Sequence, residues 1–165
     1  MMIPRLRLAL LICALASAAA LGVAFASEWV GGLVPCALCL VERWPYRIAA
    51  VLALIGVFLP RPWAWLMLWL CVAALLAAAA LGMVHIGVEQ KWWPSPLPEC
   101  AAPNLSGLSI AERLARMPAH PSKPCDDPTF LIPSLPLSMA AMNALFALAL
   151  AACLSIFAVR NRSLP

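Results

Sequence analysis

Long apolar runs separated by short polar breaks dominate the chain, and their spacing predicts its elements. The run from Leu8 to Ala26 carries no charge, and at about 1.5 Å per residue it nearly crosses the roughly 30 Å hydrocarbon layer of a bilayer. Met1 to Arg7 and Ala24-Phe25-Ala26 imitate the ends of a signal peptide, but the run exceeds the usual signal core. It is therefore read as an uncleaved first membrane helix over about 8–27. A second run spans 35–59 and is interrupted by Trp44-Pro45. There proline withholds an N–H from the carbonyl of Val41 and predicts a bend, which reads equally as a proline tolerated in a membrane helix or as a local opening that makes room for a ligand. Pro60-Arg61-Pro62 forbids helix continuation, and a third run follows over 63–88. Trp63, Trp65 and Trp69 at its start read as an interfacial aromatic belt. The fourth run covers 137–159 and ends at Arg160-Asn161-Arg162.

Between the third and fourth runs the pattern changes. Residues 89–136 hold ten of the sixteen prolines and five of the seven acidic residues, and they form a long extramembrane loop. Inside it Ser109-Ile110-Ala111-Glu112 reads as a capping box opening a short helix through Met117, with Leu108, Ala111, Leu114 and Ala115 on one face. His120, in the same loop, is given no role. The expected fold is an all-α membrane protein: one domain over 1–165, built as a four-transmembrane-helix bundle with a long loop between helices 3 and 4.

Composition supports that expectation. With 65% hydrophobic residues, 11% charged and a mean hydropathy of +0.95, a soluble fold of this size could not hide its apolar surface. The net charge of +4 is scattered, without the basic and aromatic interleaving of nucleic-acid binders, so no nucleic acid is expected as a partner. Its distribution suggests an orientation. Arg5, Arg7, Arg61, Arg160 and Arg162 lie on the side of the termini with no acid among them. Of the six basic residues opposite, Arg43 and Arg47 fall within a predicted helix, and Arg113 and Arg116 are far from any span end. Both termini are therefore expected to be cytoplasmic and the cysteine-bearing connections periplasmic. An oxidising compartment, where water-exposed thiol pairs persist as disulfides, agrees with this.

The seven cysteines divide by position. Cys13, Cys71 and Cys153 lie in apolar runs, where a thiol packs as a small hydrophobe. Cys36, Cys39, Cys100 and Cys125 lie among prolines, tryptophans and charges. In a helix opening at Pro35, positions 36, 39 and 43 share one stripe, so two sulfurs and the Arg43 guanidinium face one way. The helix N-terminus and Arg43 both favour a thiolate there. Such a motif fits a redox pair, half of a tetrathiolate zinc site, or a structural bridge. The 24 residues between Cys100 and Cys125 argue against zinc, and the small ring of a Cys36–Cys39 bridge argues against bracing. His85, a titratable donor at membrane depth, is a further candidate, whereas Glu42 reads as interfacial or paired with Arg47.

The segment from Pro35 through Pro45, Pro-Cys-Ala-Leu-Cys-Leu-Val-Glu-Arg-Trp-Pro, resembles the disulfide bond formation protein B family, DsbB, of Gram-negative inner membranes. The likeness extends over the chain: C-x-x-C opening the second span, His85 ending the third, a Pro-rich loop with two cysteines, and Leu137 to Asn143 opening the fourth. Pro136 and Phe130 depart from the glycine and tryptophan often found in the family. The resemblance implies a thiol:quinone oxidoreductase with Cys36, Cys39, Cys100 and Cys125 as catalytic residues and no metal. A reduced periplasmic thiol oxidase, DsbA-like, would attack the Cys100–Cys125 disulfide at Cys100. Cys125 would pass the electrons to Cys36, and Cys39 would face a membrane quinone, ubiquinone or menaquinone, whose reduced ring Arg43 and His85 stabilise. Two other readings stand beside it: a vitamin K epoxide reductase-like enzyme, whose active pair lies late in the chain, and a non-catalytic tetraspan protein with structural or metal-binding cysteines.

Overall fold

The computed structural model describes residues 2–100, 109–115, 123–132 and 134–162. Five α-helices are present among them: α1 (Met2–Trp29), α2 (Ala37–Phe58), α3 (Arg61–Glu89), α4 (Ile110–Ala115) and α5 (Met139–Arg162). A single 3-10 turn covers Pro98–Cys100.

Local chemistry explains where the helices stop. After α1 the chain turns at Gly32, whose φ of 64° is a left-handed conformation that glycine adopts without strain. The amides of Gly32 and Leu33 return to the carbonyls of Glu28 and Ser27. α2 starts two residues later than Pro35, because Cys36 takes an extended conformation and its sulfur accepts the amide of Cys39 at 3.2 Å, acting as the N-cap. The helix then runs unbroken through Pro45. α3 has proline in its first turn, where the missing N–H is harmless. At its far end Trp93 folds back so that its indole N–H donates to the carbonyl of Val84 at 3.2 Å and its ring covers Gly87, where any side chain would collide with it.

Three of the described helices are long and apolar enough to cross a membrane: Pro4–Trp29, Arg61–Glu89 and Met139–Asn161. α2 has the length, about 33 Å at the usual rise per residue, but it carries Glu42, Arg43 and Arg47 in its first half. The expectation of four spans thus meets three helices that qualify by length and composition, together with a charged fourth packed among them.

α2 packs along α3, α3 along α5 and α1 along α2, whereas α1 and α5 meet only sparsely. Alanines occupy many of the buried positions, including Ala49 and Ala53 of α2, Ala78 of α3 and Ala147 and Ala151 of α5. Small side chains let helix backbones approach closely when lipid supplies no hydrophobic drive between them. α3 and α5 approach closely at Gly82, where an added Cβ would lie 3.0 Å from the Cβ of Ala144. Cys13 and Cys71 are buried in this core, while Cys153 is exposed on α5. Trp65 stacks on Phe157 at 6.3 Å, and Trp63 and Trp69 are exposed.

The capping box forms as expected. Ser109 Oγ and N both donate to Glu112 Oε2, and these bonds hold that carboxyl below the usual carboxylate range. Met117, Leu108 and His120 lie outside the described residues.

Candidate functional site

The site gathers where α2 begins, α3 ends and α5 begins. Cys100 and Cys125 form a disulfide with a Cα–Cα distance of 5.0 Å, and the amide of Cys125 donates to the carbonyl of Cys100 at 3.4 Å. This bridge, Cys36, Leu38 and Val88 make one buried cluster, with Cys39 and Leu97 packed against it. The two cysteine pairs, far apart in sequence, therefore share one apolar pocket at one end of the bundle. Cys36 and Cys39 are not bridged, and their sulfurs stand 2.7 Å apart, close enough to form a bond with each other.

Behind Cys36 runs a buried polar chain. His85 Nε2 lies 3.5 Å from Cys36 Sγ, and His85 Nδ1 donates to Glu42 Oε1 at 2.7 Å. The second carboxylate oxygen of Glu42 accepts from Asn143 Nδ2 at 2.8 Å, and Asn143 Oδ1 accepts from the Tyr46 hydroxyl at 2.6 Å. With Nδ1–H committed to the carboxylate, a neutral His85 turns its Nε2 lone pair toward Cys36. Nearby, Ser138 Oγ donates to Glu89 Oε2 at 2.5 Å, tying the end of α3 to the start of α5.

Glu42 is neither interfacial nor paired with Arg47. It is buried at 7% exposure between α3 and α5, and Arg47 lies over the Trp44 ring. Its position three residues after Cys39 was the available signal, since that spacing puts Glu42 on the same face as the sulfur. Tyr46, four residues after Glu42, follows the same rule. Asn143 gave no comparable signal, because α5 supplies it from the far end of the chain.

In front of Cys39 a cavity of about 290 Å³ opens in the gap between α1 and α5. That size is near the lower end for small-molecule sites. Its walls are largely alanine, leucine, methionine and phenylalanine from α1 and α5, with Cys39, Glu42, Arg43, Tyr46 and Asn143 as the polar exceptions. Arg43 is ion-paired with Glu28 at the end of α1 and lies over the Phe25 ring. Its Nε is buried without a hydrogen-bond partner. His85 is not among the residues lining the cavity; it reaches Cys36 and Glu42 from α3.

A bridged pair beside a free dithiol can exchange disulfides, the dithiol can lose protons to an imidazole, and the cavity can hold a flat apolar acceptor with one cationic donor at its wall. A family profile described as disulfide bond formation protein DsbB matches residues 6–157. No curated protein matches the chain, and no solved structure does. That family comprises disulfide-generating oxidoreductases of the inner membrane that use quinones. With a match over nearly its whole length, the chain belongs to the disulfide bond formation protein DsbB family.

Proposed function

We propose that this protein oxidises a DsbA-like periplasmic dithiol protein and delivers the electrons to a membrane quinone through its two cysteine pairs. The observation that carries this reading is the shared buried cluster of Cys36, Cys100 and Cys125, with Cys39 at its edge and a cavity directly beyond.

Disulfide exchange proceeds by attack of a thiolate on a disulfide sulfur. A partner thiolate attacks Cys100, forming a mixed disulfide and releasing Cys125 as a thiolate. With the helical pair oxidised, Cys125 attacks Cys36, which releases Cys39 beside the cavity. The second partner thiol then displaces Cys100, and Cys100 resolves the Cys125–Cys36 bond. The loop disulfide is restored, the partner leaves oxidised, and two electrons remain on Cys36 and Cys39.

A quinone in the cavity supplies an acceptor for two electrons and two protons. The residues present fit such a ring: the walls are apolar, and the Arg43 guanidinium at the wall offers a cationic donor to an oxygen that gains negative charge. His85 acts from α3, beside Cys36. Its Nε2 accepts the Cys36 proton while Nδ1–H is held by Glu42, and Glu42 itself borders the cavity. Protons lost by the dithiol thus have a short path to the place where reduction consumes them.

The same reading makes residues 1–165 one membrane domain with α2 as a fourth span, its charges facing protein, and with both termini cytoplasmic. The arginine asymmetry supports this orientation.

The test uses purified protein with a reduced dithiol protein and ubiquinone or menaquinone. One quinol is expected per dithiol oxidised, with Cys100–Cys125 and Cys36–Cys39 cycling between states. Dithiol oxidation that proceeds at the same rate without any quinone would overturn the proposal.

A further inference from the structure

Three metal-capable atoms converge at the thiol pair: Cys36 Sγ, Cys39 Sγ and His85 Nε2 all lie within 4.8 Å of one another. Two thiolates and a neutral imidazole form a donor set that Zn2+ accepts in centres with three protein ligands and an open fourth position. The imidazole is already arranged for such a role. Its Nδ1 is held by Glu42 at 2.7 Å, the carboxylate–histidine contact that fixes ring orientation and leaves Nε2 free for a metal. Space for a fourth ligand exists as well, because Cys39 borders both the main cavity and a smaller cleft beside Glu28.

We propose that the reduced Cys36–Cys39 dithiol and His85 form a Zn2+ site, and that its occupancy blocks the enzyme in its electron-loaded state. The inhibitory role rests on the redox reading above, since only the reduced pair offers two thiolates. Binding displaces one proton from each thiol; two Zn–S bonds and one Zn–N bond form, and no electron moves. Tetrahedral bonds of about 2.3 Å to each sulfur require the sulfurs to stand about 3.8 Å apart. They now stand 2.7 Å apart, and Cys39 has the cavity to move into. A dication also offsets the cost of placing two thiolates beside the buried Glu42 carboxylate. Once ligated, neither sulfur can attack a disulfide or pass electrons on. Protein deprived of its acceptor accumulates the form that zinc captures, whereas the oxidised pair is immune.

The test takes full-length protein in detergent, reduced with excess dithiol, freed of it under argon, and titrated with Zn2+ against a chromophoric chelator. One zinc per reduced protein, retained when Cys100 and Cys125 are both replaced by alanine, and none per quinone-oxidised protein are expected, with affinity falling at least tenfold in His85→Ala. Wild-type reduced protein loaded with Co2+ should show tetrahedral bands with sulfur-to-metal charge transfer, a readout that needs no variant. Zinc should stop turnover, and a chelator should restore it. Equal binding by the oxidised protein, unchanged affinity in His85→Ala, or an octahedral Co2+ spectrum would each overturn the site. Metal-free turnover in the same preparation separates the two readings. Zinc binding without turnover sinks the redox reading and leaves a metal site, whereas turnover indifferent to zinc sinks this proposal alone.

Discussion

His85 donates from Nδ1 to Glu42 Oε1 at 2.7 Å, and this bond turns its other nitrogen toward Cys36 at 3.5 Å. A carboxylate from α2 thereby fixes the tautomer and orientation of a base on α3. Glu42→Gln tests the consequence: the amide oxygen still accepts from Nδ1, Asn143 can turn its amide so that Oδ1 accepts from the new NH2, and the group can no longer carry a proton. General acid–base roles contribute about 10²-fold or more, so kcat for quinone reduction should fall on that order with little change in quinone KM. Stopped-flow quinone absorbance measures both. A kcat within twofold of wild type would reduce Glu42 to a packing residue.

Removing either helical sulfur breaks the route at different places. Cys36→Ser leaves Cys125 without a sulfur to attack, and Cys39→Ser leaves none bordering the cavity. Both should lose quinone reduction entirely while the Cys100–Cys125 bridge still forms, as thiol alkylation before and after reduction will report. Full activity in either variant would refute the assigned order.

The sequence made the cysteines, Arg43 and the helices legible because each carries a local signature: a C-x-x-C spacing, an i+4 cation, or an apolar run. Glu42 was misread because its surroundings are tertiary. His85 is 43 residues away and Asn143 is 101, so the spacing from Cys39 gives the face on which Glu42 lies but not the partners that seal it between two helices. The start of α2 was misplaced for a related reason. Proline at the first helical position is a sound rule, but here the thiol of Cys36 caps the helix and moves its start to Ala37. The charges that keep α2 from resembling a plain membrane helix are Glu42, Arg43 and Arg47. The first two are buried against neighbouring helices and line the site.

Arg43 combines two jobs that a pair of variants can separate. Its ion pair with Glu28 joins the end of α1 to α2, and its guanidinium is the cationic donor at the cavity wall. A hydrogen bond to a charged group contributes about 1.5–3 kcal/mol, so Arg43→Ala should raise quinone KM by roughly 10- to 100-fold. Arg43→Lys keeps the charge and loses the planar fork, and should fall between wild type and Arg43→Ala. Loop disulfide formation should be unaffected in both. Unchanged quinone kinetics in Arg43→Ala would leave the arginine as an anchor for α1.

The remaining cysteines provide a control on the whole scheme. Cys13 and Cys71 are buried in the helix core and Cys153 is exposed on α5, and all three are absent from the cluster and the cavity. Replacing them together with alanine should leave turnover within about twofold and lower stability by a kcal/mol or so for each buried sulfur removed. Loss of turnover with the fold retained would mean that electrons reach sulfurs outside the proposed path.

Gly82 tests whether the site depends on how closely α3 and α5 approach. A Cβ there would stand 3.0 Å from Ala144 Cβ and 3.2 Å from the Ala144 backbone, so the two helices must separate slightly to admit it. Ala144 follows Asn143, which holds Glu42 and lines the cavity, and the displacement is therefore delivered to the polar chain. Gly82→Ala should cost about 1–3 kcal/mol, as overpacking commonly does, and should also lower turnover. Gly22→Ala in α1 is the matched comparison, since a Cβ at Gly22 meets nothing within 4 Å. There the better helix propensity of alanine should stabilise by about 0.5–1 kcal/mol and leave turnover intact. Thermal unfolding in detergent and quinone kinetics measure both variants. If Gly82→Ala behaves like Gly22→Ala, the contact between α3 and α5 is loose, and the position of Asn143 is set by the Tyr46 and Glu42 hydrogen bonds alone.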